Sequence, residues 1–189
     1  MDKTMLIIIA VLLGPVLYVI LAFNALVRGR NQVTEAWSDI EVHLKRRYDL
    51  IPNLVETVKG YAKHESSTLE MVVEARNAAM LQSGGAEQCS ETENILGRTL
   101  KSIFALAEAY PDLKASQNFV ELQRDIADTE DKIQASRRFY NSVVLTYNNR
   151  TATFPSMLVA NAFKFKAMVY FELDEAEKAE AYKPVKVQF

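Results

Sequence analysis

Histidine and cysteine, from which most metal centres and many nucleophilic sites are assembled, are nearly missing from this chain: it has two His and one Cys in 189 residues. The lone Cys89 has no internal disulfide partner, which excludes a cystine framework and is compatible with a reducing compartment. Six glycines and five prolines are too few for the turns of an all-β fold. Charge is close to balanced, 22 basic residues against 24 acidic, yet residues 5–27 contain no Asp, Glu, Lys or Arg. No later stretch is apolar for so long.

At about 1.5 Å per helical residue this run reaches the roughly 30 Å of a hydrocarbon core. A transmembrane anchor over residues 1–28 is therefore expected. A cleaved signal peptide is the rival reading, disfavoured by the length of the run and by Ala22-Phe23-Asn24, which puts Asn where a small residue belongs. Only Lys3 precedes the run, whereas Arg28 and Arg30 follow at once and Lys45, Arg46 and Arg47 come soon after. That asymmetry predicts a single-pass protein of a bacterial inner membrane, N-terminus outside and the bulk in the cytoplasm. Arg28 and Arg30 are the candidate membrane-interface residues, placed where a basic side chain gains about 1 kcal/mol from anionic lipid. Gly14-Pro15 is only a weak signal for a kink or a close helix contact.

The remaining residues suffice for one domain with a core, and their periodicity is helical. Val33, Trp37, Ile40, Leu44, Ile51, Leu54, Val58 and Tyr61 recur at threes and fours, interrupted only by Arg47. A second seam runs through Phe119, Leu122, Ile126, Thr129, Ile133, Ser136, Tyr140, Val143 and Tyr147 for four heptads. Between them Ser67-Thr68-Leu69-Glu70 reads as a capping box and Ser83-Gly84-Gly85 as a stop. A polar loop is expected through about Thr92, after which Leu96, Leu100, Ile103, Ala107 and Tyr110 resume the spacing until Pro111. Ser116 is placed to cap the next helix, Phe154-Pro155-Ser156 to close it, and Leu158, Ala162, Phe165, Val169 and Leu173 to give a last apolar face.

Four helical limbs result, joined by turns near residue 64, at 111–115 and at 154–156. The fold class expected is all-α: an N-terminal transmembrane helix continuing into an antiparallel up-down four-helix bundle. Between Phe23 and Pro52, where a kink is expected, the chain has no proline and a single glycine, Gly29. The anchor and first limb should thus form one rod, with the bundle over residues 29–180 and an extended tail over 181–189. In that geometry the turn at 63–67 and the loop at 151–155 lie far from the bilayer, and the Tyr110-Pro111-Asp112-Leu113 turn lies near it.

The segment from Arg30 to Ile40, continued by Leu44-Lys45-Arg46-Arg47-Tyr48-Asp49-Leu50-Ile51-Pro52-Asn53-Leu54-Val55, closely resembles the LemA family. Val58-Lys59-Gly60-Tyr61-Ala62, Ala109 to Ala115, Arg138-Phe139-Tyr140-Asn141, Tyr170-Phe171-Glu172 and the terminal Pro184 to Phe189 extend the resemblance over nearly the whole chain. It implies a bacterial single-pass membrane protein with an antiparallel helical bundle and no established activity. One departure is Lys164, which stands where the family pattern usually carries a glycine.

Catalytic constellations are hard to assemble. Di-metal bundles use Glu-x-x-His pairs, but Ile40 stands three residues before His43 and Tyr61 three before His64. His64-Glu65-Ser66-Ser67-Thr68 lacks the second histidine of a zinc protease motif, and Gly84-Gly85 opens no phosphate loop. Cys89 sits among Glu87, Ser90 and Glu91, a poor setting for a thiolate. No catalysis, cofactor or metal is expected.

Arg47, on an apolar seam, is expected to reach one of Asp128, Glu130 or Asp131 in a partly buried pair that fixes helix register. Phe163, Phe165, Tyr170 and Phe171 exceed what one stripe buries and are candidates for a partner surface, with Val187 and Phe189 of the alternating tail. Glu172, Asp174, Glu175, Glu177 and Glu180 form an acidic stretch that argues against nucleic acid. Asp128 and Lys132 are spaced for a solvated helical pair. These features predict a membrane-anchored, non-catalytic scaffold, self-associating as a homo-oligomer, which presents a protein-interaction surface beside the lipid bilayer. The alternative is a sensor or adaptor regulating another membrane protein, a protease or transporter.

Overall fold

The computed structural model describes residues 3–82 and 86–171, and the tail with Val187 and Phe189 lies outside them. All regular structure among the described residues is helical: α1 (Lys3–Tyr61), α2 (Ser66–Leu81), α3 (Ala86–Ala107), α4 (Pro111–Lys114), α5 (Gln117–Ala152) and α6 (Ser156–Ala162). Two compact units share these helices. The first takes residues up to Asp39 with Arg138–Met168, and the second takes Ile40–Arg137 with the described residues from Val169 on.

α1 is long and apolar enough at its start to cross a membrane. From Leu12 to Leu21 its large apolar side chains are 38% to 66% exposed, the opposite of a core helix, whose apolar face would be covered. From Ala22 on, one face of the same helix turns inward. In the first unit Ala22, Phe23 and Leu26 pack with Val159, Ala160 and Phe165. In the second, Ile51, Leu54, Val58 and Ala62 join Leu69, Val72, Ala75 and Ala79 of α2, Leu96, Leu100, Ile103 and Ala107 of α3, Leu113 of α4, and Phe119 and Ile126 of α5. Ala62 takes the buried place expected of Tyr61, which is about half exposed.

Pro52 lies within α1. Its ring nitrogen cannot donate to the carbonyl of Tyr48 one turn back. Arg76 of α2 fills that gap, its Nε donating to the Tyr48 carbonyl at 2.7 Å. An imino acid inside one helix is thereby matched to a cation on the next.

Several expectations are corrected. α3 starts at Ala86, so Cys89 to Thr92 are helical and not a polar loop. α2 starts at Ser66 behind Glu65, with no side-chain cap, one residue ahead of the expected capping box. Pro111 ends nothing; as the first residue of α4 its missing N–H is one that no helix would use. The stretch between the turns at 64 and 111–115 is two helices packed on one another, not one limb. The Tyr110 hydroxyl accordingly donates to Glu65 Oε1 at 3.1 Å, bringing the end of α3 back to the start of α2. The Tyr110–Leu113 turn thus sits by the α1–α2 junction, far along the chain from the apolar run. The loop at 151–155 leads instead into α6, which packs on Ala22 and Leu26 inside that run.

The last limb is not a long helix. α6 stops at Ala162, where Lys164 N–H bonds to Asn161 O at 3.3 Å and Phe165 N–H to Ala160 O at 2.9 Å, the paired bonds of a Schellman cap. Lys164 carries φ 58°, the left-handed conformation that a glycine adopts without a Cβ penalty. Residues 165–171 then run without helix. Asn148 of α5 pins this segment from both sides, its Nδ2 donating to Met168 O at 2.9 Å and its Oδ1 accepting from Met168 N–H at 2.8 Å.

Candidate functional site

The second unit carries charge in its interior. Arg47 of α1 and Glu93 of α3 are each 1% exposed, and Thr129, Ser90 and Arg137 are buried with them. The Arg47 guanidinium pairs with both Glu93 and Glu130 of α5, donating through Nη1 to Glu130 Oε2. Tyr48, next along α1, donates its hydroxyl to Glu93 Oε1. One carboxylate on α3 therefore receives a cation and a phenol from successive residues of α1. Removing ions from water costs several kcal/mol each unless their partners are well placed, and here two carboxylates face one guanidinium. Arg137 stacks over the Phe171 ring, its Cζ 4.3 Å from the centroid.

The chemistry of this cluster is that of a clamp. Burial pushes the Tyr48 phenol up to about 12, with Cys89 adding to the shift and Arg47 and Arg137 opposing it. Desolvation likewise raises the buried Cys89 thiol, against the pull of Arg137 and Arg47. Both shifts favour the protonated, uncharged form of the group. Among the described residues no group of three or more His, Cys, Asp or Glu is placed to hold a metal ion.

The other expected site residues fall as follows. Asp128 lies outside the cluster, paired at 2.7 Å with Lys132 on its own helix; the hydrogen bond from Lys132 holds its carboxyl below the usual range. Asp131 is exposed. Arg28 and Arg30 are exposed at the end of the apolar run, and Arg30 lies 5.8 Å from the Phe165 ring centroid. Phe163 and Phe165 meet Phe23 edge-on, with centroids 4.8 and 5.6 Å apart. Phe171 is buried, so it offers no free surface, whereas Tyr170 and Val169 remain partly exposed.

A model of the LemA family matches residues 36–189. The chain belongs to the LemA family. Protein LemA of Metamycoplasma hominis is 29% identical over 161 residues, 83% of this chain and 72% of that one. Magnetosome protein MamQ of Magnetospirillum gryphiswaldense is 23% identical over 177 residues, 80% of this chain. Magnetosome protein MamQ 1 of Paramagnetospirillum magneticum is 22% identical over 178 residues, 81% of this chain. This chain spans 65% of the length of each magnetosome relative. The family match begins at Ala36, past the apolar run, and takes in Arg47, Tyr48, Glu93 and Glu130.

Glu93 and Arg137 were missed in sequence, though the first left a signal. Stepping back from Leu96 by threes and fours lands on Glu93, Cys89 and Ala86, all buried. Arg137 is subtler. On α5 the buried line runs Thr129, Ile133, Arg137, Tyr140, Val144, Tyr147, where a strict heptad places Ser136 and Val143. An α-helix of 3.6 residues per turn drifts about 20° per heptad, and over four heptads the inward line moves to the next residue. The packing at Gly29 was also missed: a Cβ there would meet the Tyr147 ring at 3.1 Å, so glycine permits α5 to approach α1 in the first unit.

Proposed function

We propose that this LemA-family protein is a membrane-tethered helical scaffold that acts by presentation, without chemistry of its own. The observation that carries the reading is α1, one helix whose first part exposes an apolar run and whose later part supplies the core residues Ile51, Leu54 and Val58. In this reading residues 1–28 are the anchor, the helical segments that follow work as an antiparallel four-helix bundle over 29–180, and residues 181–189 form the tail. The basic residues after the run support a cytoplasmic bundle at a bacterial inner membrane. The buried Arg47–Glu93–Glu130 clamp supports a rigid body with α1 and α5 held in fixed register through α3. Held at a bilayer, such a body self-associates at high local concentration, so weak contacts suffice for an array.

A second reading, an adaptor that binds a ligand or a membrane protein, is favoured by a groove of about 450 Å³ lined by Val55, Lys59, Lys63, Leu69, Glu70 and Val73. Native mass measurement of a mild detergent extract separates the two. Discrete multiples of the chain mass support the scaffold, and a foreign protein in fixed stoichiometry supports the adaptor. Release from membranes by alkali overturns both.

A further inference from the structure

We propose that the uncharged stretch from Thr151 to Phe163, with α6 at its centre, beds into the headgroup region of the leaflet in which the α1 span ends. The proposal rests on residues 5–27 crossing the bilayer and adds a second lipid contact to it. At about 1.5 Å per residue the uncharged run is slightly longer than a roughly 30 Å hydrocarbon core, so Ala22 to Leu26 fall at its boundary. Val159 and Ala160 are buried against Ala22 and Leu26, and the Phe163 and Phe165 rings stand edge-on to Phe23. α6 is thereby held at the depth of those residues.

Other apolar side chains of the stretch stay open: Phe154 is 77% exposed, Leu158 58% and Phe163 53%. No charged residue interrupts 151–163, while Arg150, Lys164 and Lys166 bracket it and Arg28 and Arg30 stand beside the span. An apolar segment between basic ends is what an anionic interface holds: rings and aliphatic side chains at the acyl boundary, cations among the phosphates. The occupant of the patch is the protein's own bilayer; a second copy of the chain is the competing outcome.

Tryptophan quenching in the full-length protein tests this. In a Trp37→Phe chain, single tryptophans are placed by Phe154→Trp, Leu158→Trp, Leu21→Trp in the span and Leu81→Trp at an exposed position on α2. The proteins are reconstituted into phosphatidylcholine–phosphatidylglycerol vesicles whose acyl chains carry bromine. Positions 154 and 158 are expected to lose emission and shift to the blue along with position 21, most strongly with bromine near the carboxyl end, while position 81 does not. Quenching at 21 without quenching at 154 or 158 overturns the inference and leaves the anchor standing. No quenching at 21 overturns the anchor and the inference with it. Cross-linking between copies through Phe154→Cys, with no lipid quenching, assigns the patch to a second chain and also overturns it. Should loss of Trp37 unfold the protein, a bimane on Phe154→Cys in a Cys89→Ser chain gives the same readout.

Discussion

Cutting Glu93 back to alanine leaves the Arg47 guanidinium with Glu130 alone, in a place almost without water. The expected loss is about 3–5 kcal/mol of stability, read from urea unfolding followed by circular dichroism. Replacing both members with apolar residues of similar size, Arg47→Met with Glu93→Leu, should restore most of that loss, because the stranded charge rather than the missing pair is what destabilises. If the double variant is as unstable as Glu93→Ala, the cluster is not the clamp described above. Tyr48 supplies a second check through pH. Its phenol ionises near 10 in the unfolded chain but only near about 12 when folded. Between those values the folded state binds more protons, so stability falls as pH rises through the window and the Tyr48 contribution is complete below it. Tyr48→Phe should lose less of its urea midpoint between about pH 8 and about pH 11 than the parent chain. Arg47 was legible because it broke an apolar seam; Glu93 was not, because nearby polar residues made its helix look like a loop.

The exchange between Pro52 and Arg76 is a prediction about elements. Arg76→Met leaves the Tyr48 carbonyl without its donor and should cost about 1–3 kcal/mol. Pro52→Ala returns a backbone N–H to the same carbonyl, so Arg76→Met in that background should cost clearly less, a coupling that a double-mutant cycle of melting curves measures. Equal costs in both backgrounds would mean that Arg76 acts elsewhere. At the end of α6, Lys164→Gly relieves a left-handed lysine and should stabilise by about 0.5–1 kcal/mol in the same assay. That site was half legible in sequence: a family glycine replaced by lysine marked the position, but only the backbone explains why glycine belongs there. Helix existence was readable from spacing throughout α1, α2 and α5. Helix ends were not, since Glu65 starts α2 without a side-chain cap and α3 begins among residues whose polarity suggested a loop.

For the molecule as a whole, spacing told which faces are apolar but not that α2 and α3 pack on one another, because Ser83-Gly84-Gly85 and the polar residues after it read in sequence as an interruption in one limb. Global and local opening can be followed through a group nature already provided. Cys89 is the chain's one cysteine, 5% exposed and with its thiol raised by burial. Alkylation by a maleimide should therefore proceed only through openings of the charged core and accelerate in urea in step with the loss of helical signal. Fast labelling of the native protein would contradict the burial described here. A Glu93→Ala chain that has lost about 3 kcal/mol should label roughly a hundredfold faster when exchange is limited by the open population. Since no other sulfhydryl of the chain competes, the wild-type protein is its own strain gauge: how often its interior breathes can be timed on the purified chain, before any residue has been changed.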